Sequence, residues 1–156
     1  MINGTKGTGI IDAMTKGTSV SFGTPYVGLF KTMPGAGGTG GVELDYAEYS
    51  RVAINVEGIE GKVIMAAAAS AVITDDDGYS KTQSSAQNQE IIYFPENESG
   101  PATTAVGVGI FESKTGGTPY LWKDFGKDEE GNAKTVDVPI NSAPMFRIGK
   151  FKVKTK

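Results

Sequence analysis

The stretch GVGIFESKTGGTPYLWKDF, Gly107 to Phe125, limits the fold more than any other segment. Two apolar runs face each other across a polar turn marked by Gly116 and Gly117, the pattern of an antiparallel hairpin. With Thr115 and Gly116 as a two-residue turn, Phe111 lies opposite Tyr120 and Gly109 lies opposite Trp122. The indole then covers a bare backbone position across the strands. Val106, Val108 and Ile110 form a second, core-facing stripe on the same strand, which leaves no polar side chain of the pair placed for chemistry. Gly109, Phe111, Gly116, Gly117, Tyr120 and Trp122 therefore read as architecture.

Composition agrees with a strand-and-turn chain. The 22 glycines and 7 prolines among 156 residues favour turns over helical bundles, and that length suits one domain with a real core. Cysteine and histidine are both absent, which removes disulfides, thiol nucleophiles, the usual zinc ligands and the side chain that titrates near neutrality. A formal net charge of −3 gives no global field towards nucleic acid or an anionic membrane. The N-terminus has no cationic head followed by an apolar core, and no apolar run is long enough to span a bilayer. The expectation is a protein without export signal or membrane span that stays soluble in the cytoplasm where it is made.

Along the chain, IIDAMTK (Ile10 to Lys16) has helical spacing, with Gly17 placed for a left-handed C-terminal residue. PYVGLFK is apolar on both faces, Tyr26 and Phe30 against Val27 and Leu29, as in a strand covered from both sides. The glycine-rich GAGGTGG reads as a flexible loop. In EYSRVAINV, Ser50, Val52, Ile54 and Val56 share one face and Arg51 and Asn55 the other, a half-buried strand. KVIMAAAASAVI (Lys62 to Ile73) mixes four consecutive alanines with β-branched residues and reads as two short strands with a small-residue link. From Thr74 to Glu90 almost nothing but Tyr79 can be buried, so this is an exposed loop. IIYF is a strand closed by Pro95, and KTVDVPI places Val136, Val138 and Ile140 on one face. At the C-terminus the apolar parity switches between Phe146/Ile148 and Phe151/Val153, which a bulge at Gly149 and Lys150 would reconcile. The expected fold is all-β: a single-domain antiparallel β-sandwich or jelly roll over residues 21–156, with an N-terminal arm and short helix over 1–20.

Motifs with chemical meaning mostly lack their context. Gly35, Gly37 and Gly40 match GxGxxG, but no helical stripe follows, so a surface loop is the better reading. Asp75, Asp76 and Asp77 before Gly78 could offer oxygen ligands, Asp75 and Asp77 as weak metal candidates, but a calcium loop needs its first ligand about five residues before the glycine, where Ile73 stands. Glu43, Asp45 and Glu48 form a carboxylate cluster of the kind a cell-wall carbohydrate hydrolase needs, with no partner group to support catalysis. Arg147, Lys150, Lys152, Lys154 and Lys156, interleaved with Phe146 and Phe151, resemble a single-strand nucleic-acid platform, yet lysines alternating on a strand more often guard a sheet edge.

Taken in order, PYVGLFKTMPGAGG, EYSRVAI, IIYFP, AVGVGIFESKTGGTPYLWKDF and FRIGKFKVK resemble a small bacteriophage family of tail fibre proteins, from about Ile10 to the end. The resemblance implies a virion structural protein with no catalytic residues and no cofactor. It implies partners among other virion proteins, further copies of itself and a host-surface receptor; the acidic charge balance and the lysines alternating at a sheet edge argue against nucleic acid as a partner. Any trimer would rest on analogy alone. The segment Thr74–Glu90 and the acidic KDFGKDEEGNAK are longer than the family pattern. Contact loops are expected at Gly35, Gly37 and Gly40 and at Asp76, Tyr79, Gln83 and Gln87, either as a tail-fibre or baseplate module or as a capsid decoration or head-fibre protein.

Overall fold

A computed structural model describes residues 4–19, 24–54, 65–66, 68–74 and 77–154. One helix, α1 (Gly4–Lys16), precedes twelve strands among these residues: β1 (Tyr26–Thr32), β2 (Val42–Glu43), β3 (Val52–Ala53), β4 (Ala69–Thr74), β5 (Ser80–Gln87), β6 (Ile92–Tyr93), β7 (Thr103–Ala105), β8 (Gly107–Phe111), β9 (Leu121–Asp124), β10 (Val136–Val138), β11 (Met145–Phe146) and β12 (Lys152–Lys154). The fold is all-β with antiparallel sheets and one N-terminal helix, the class its turn-rich sequence predicts. The described helix is not long and apolar enough to cross a membrane.

α1 begins six residues before the expected Ile10, because Gly7 and Gly9 hide the first turns from any propensity argument. Its end is where the sequence places it: Gly17 has φ 68° and its amide donates to the Ala13 carbonyl at 3.1 Å. Asp12 and Lys16, one turn apart, pair at 2.8 Å.

The chain divides into two compact units, each made from separate segments. The first holds residues 1–53 and 94–144 and is organised by a five-stranded sheet in the order β2-β1-β8-β9, with β3 also on β1. Its centre is the β1–β8 ladder, in which Gly28 faces Gly109 and Phe30 faces Gly107. Alternation then sets Val27, Leu29 and Ile110, all buried, on one face. The other face carries Tyr26, Phe30, Phe111 and Trp122, with Gly28, Gly107 and Gly109 between them. Those glycines make the aromatic layer possible. A Cβ on Gly109 would stand 2.6 Å from the Phe30 ring, and one on Gly28 would stand 2.9 Å from the Phe111 ring.

Gly109 does pair with Trp122, as the hairpin predicts. The ring that closes over it, however, is Phe30 from the neighbouring strand, and the indole instead lies beside Gly38. The connection is also wider than two residues: β8 ends at Phe111, β9 starts at Leu121, and Gly116 and Gly117 both have positive φ within the long loop. The glycine loop after β1 is turned rather than slack, since Gly35 donates to the Thr39 carbonyl at 2.9 Å and Gly38 to Gly35 at 3.0 Å.

The second unit holds residues 54–93 and 145–156, with a three-stranded sheet in the order β12-β5-β4 and a β11–β6 pair. Here the reading of Thr74–Glu90 as a loop fails. Its central stretch, Ser80–Gln87, is β5, registered against β4 from Ala69↔Ser85 to Thr74↔Ser80. Serine, threonine and glutamine fill a ribbon whose residues are mostly exposed on both faces, so no apolar alternation exists to betray the strand. Tyr79, the one residue of the segment apolar enough to be buried and also a contact candidate, is 75% exposed. The parity switch at the C-terminus is not a bulge but a turn between β11 and β12, which pair with different strands. The fully buried Asn88 clasps that turn, its side-chain amide donating to the Arg147 carbonyl at 3.1 Å and its side-chain oxygen accepting from the Phe151 amide at 3.0 Å.

Gly109→Ala is expected to destabilise the protein by about 1–3 kcal/mol through overpacking. Gly37→Ala, where a Cβ meets nothing closer than 3.8 Å, should be near neutral. Denaturant unfolding of both variants checks the contrast.

Candidate functional site

Arg51, which strand alternation assigns to the open face, is 5% exposed. A buried guanidinium costs several kcal/mol unless it is paired and hydrogen-bonded. Its Nε donates to Glu43 Oε2 at 2.9 Å and its Nη2 to Glu43 Oε1 at 2.5 Å, a two-pronged grip. Nη1 donates to the Ser113 and Gly116 carbonyls at 2.9 and 2.7 Å. The guanidinium carbon lies 3.4 Å from the centre of the Phe111 ring, a cation–π contact on the aromatic layer.

β1, β2 and β8 supply Gly28, Glu43 and Phe111 to this clamp, and Arg51 stands just before β3. β2 is registered to β1 with Glu43 opposite Phe30, which brings the carboxylate over Gly28. A Cβ at Gly28 would stand 2.8 Å from Glu43 Oε2, so the bare position admits the acid as well as the Phe111 ring. Tyr49 closes the group from the side: its hydroxyl accepts from the Leu29 amide at 2.7 Å and lies 3.2 Å from Glu43 Oε2, to which it can donate.

Burial, with the nearby Glu43 carboxylate adding to it, pushes the Tyr49 phenol well above its ordinary range, while the Leu29 amide bond and Arg51 act in the opposite direction. Tyr46 is pushed up to about 12, first by burial and then by the Glu48 carboxylate, and Tyr120 to about 12 by burial. All three keep the phenol proton at neutral pH, and Tyr46 donates its proton to the Pro95 carbonyl at 2.6 Å.

Beside the clamp lies an open cleft of about 260 Å³ lined by Glu43, Tyr49, Arg51, Lys114, Thr115 and Gly116, among others. Arg51 spends most of its N–H donors inside the protein. The groups that face solvent are those of the loop it grips, since Glu112 to Thr118 are all exposed. Two carbonyls of that loop are fixed by a buried cation, and Ser113 Oγ donates to the Thr115 carbonyl at 2.8 Å across the same turn. The arrangement is suited to holding a surface in one shape.

The carboxylates singled out in the sequence do not form one site. Glu43 belongs to the clamp, Asp45 pairs with Lys31 at 3.3 Å in solvent, and Glu48 accepts from Ser99 at 2.9 Å. Of the weak metal candidates, Asp75 lies outside the described residues and Asp77 is exposed. Asp76, a contact-loop candidate, also lies outside them. Gly35, Gly37 and Gly40 are exposed on the turned loop, Gln83 and Gln87 lie on β5, and Tyr79 just precedes it. The hairpin residues Phe111, Tyr120 and Trp122 are buried, and Gly116 belongs to the gripped loop. Sequence reasoning missed Arg51 altogether. The signal for it is weak, an arginine close in sequence to an acidic cluster, because its other partners stand more than sixty positions away.

Arg51→Met should cost about 3 kcal/mol, the low end of what removing one partner of a buried pair costs, since the Glu43 side chain keeps 25% exposure and can rehydrate. Glu43→Gln, which preserves shape and one acceptor, should cost less. Urea unfolding of both variants measures the difference. The tyrosines give a second expectation. Stability is untouched below the ordinary phenol value of 10.0, where folded and unfolded states both keep the proton, and falls as pH rises from there through about 12. Tyrosinate absorbance during base titration should therefore contain a late component, which shrinks in Tyr46→Phe and Tyr120→Phe.

A family model described as podophage GP4 fiber I protein gp80 matches residues 4–142. No curated protein matches the chain.

Proposed function

The chain belongs to the podophage GP4 fiber I protein gp80 family and is a bacteriophage virion structural protein; we propose that it works there as a tail-fibre or baseplate module, by contact and without catalysis. The observation that carries this reading is the gripped loop. Glu112 to Thr118 are exposed while Arg51 holds two of the loop's carbonyls, so a partner meets a surface whose shape is already set. Preorganisation of this kind lowers the ordering cost of binding. Repeated on one particle in several copies, weak contacts of this sort gain avidity through effective concentration. The partners are other virion proteins, further copies of the chain and a host-surface receptor.

A second reading, a head-fibre or capsid decoration protein, is favoured by one feature. α1 exposes Ile11 at 60% and Met14 at 81%, an apolar stripe that could lie on a capsid surface.

Immunogold electron microscopy of purified particles, with antibody raised against this chain, separates the two. Gold at the tail is the expected result. Gold over the head would replace it with the decoration reading, and unlabelled particles in which the antigen is accessible would overturn both.

A further inference from the structure

The sheet of the second unit has two edges with opposite chemistry. β12, at one edge, carries Lys152 and Lys154, both exposed, the usual guard against unwanted strand pairing. β4, at the other, reads Ala-Ser-Ala-Val-Ile-Thr, with no charge and no proline. Among the described residues β4 pairs with β5 and with no other strand, and its residues are exposed except for the half-buried Ile73. In an antiparallel ladder every second residue of an edge strand points its N–H and C=O away from its neighbour. The second half of β4, Val72-Ile73-Thr74, also has high β-propensity. Val72 stands 73% exposed on it. Among the described residues, the edge strands β9 and β10 carry charge, Lys123 and Asp124 on the one and Asp137 on the other, and the uncharged edges β3, β6, β7 and β11 are only two or three residues long, so β4 is the longest uncharged edge.

We infer that β4 is the surface through which two copies of the chain join, pairing antiparallel with its own counterpart about a two-fold axis near Ala71 and Val72. The contact names the interface of the proposed homo-oligomer and rests on that reading. Charge decides the occupant. A head-to-tail join of β4 to the next copy's β12 would desolvate Lys152 and Lys154 against a strand that offers no acidic partner. Pairing β4 with β4 buries no charge at all and sets no like charges opposite each other, and a two-fold contact is self-complementary by construction. The net charge of −3 per copy adds little repulsion.

The absence of cysteine from the chain makes the test simple. Ala71→Cys and Val72→Cys each introduce the only thiol, on an exposed strand position, and a short bismaleimide should link either full-length variant into a dimer on a denaturing gel. Lys152→Cys, on the guarded edge, should stay monomeric under the same treatment. Light scattering of the wild type should give twice the chain mass, and Val72→Lys, with its far-ultraviolet circular dichroism unchanged, should halve it. An oligomer that neither cysteine variant links and that Val72→Lys leaves intact would overturn the β4 interface while keeping the homo-oligomer. A wild type that stays monomeric at high concentration would overturn both.

Discussion

A buried cation held against an aromatic ring is the interaction on which the first unit depends. Arg51 sits over Phe111, and Phe111 can occupy its place only because Gly28 and Gly109 are bare. The same bare position at Gly28 admits Glu43, whose carboxylate neutralises the guanidinium. Two carbonyls of the β8–β9 loop then take both donors of Nη1. Remove any one of these and the others are left with an unpaired buried charge, a void or an unheld loop. The glycines of β1 and β8 are thus parts of the same device as the ion pair, not lapses in a strand.

The second unit solves a different problem with different means. Its longest strand, β5, is polar, and a single buried asparagine ties the terminal turn to the β5–β6 connection through main-chain partners. A polar ribbon holds little apolar area, and a small sheet without a hydrophobic face is marginal in water. That makes an additional strand at the uncharged β4 edge more than an ornament, since a paired edge would satisfy its outward backbone groups and cover Val72 at once.

What could be read in the sequence followed from local pattern. The Gly109↔Trp122 register, the Gly17 helix end and the break in phase near Gly149 all rest on residues close together in the chain, and each appears in the structure. What could not be read rests on distance or on the lack of apolar contrast. Phe30 closes over Gly109 because β1 neighbours β8, a pairing nearly eighty positions apart that no hairpin argument contains. Arg51 looked like an exposed side chain because alternation sees only its own strand, whereas its burial is decided by Ser113 and Gly116. β5 was invisible because Ser84, Ser85 and Gln87 carry no period-two signal, although the backbone pairs well.

The claim that matters most is that Arg51 holds the Ser113–Gly117 loop in one shape, and amide order parameters across that loop test it directly. Values near 0.85 in the wild type, falling towards about 0.6 in Arg51→Met with the β1–β8 ladder unchanged, would bear out the clamp. Values already below about 0.6 in the wild type would contradict it, because the loop would then move freely despite its two bonded carbonyls.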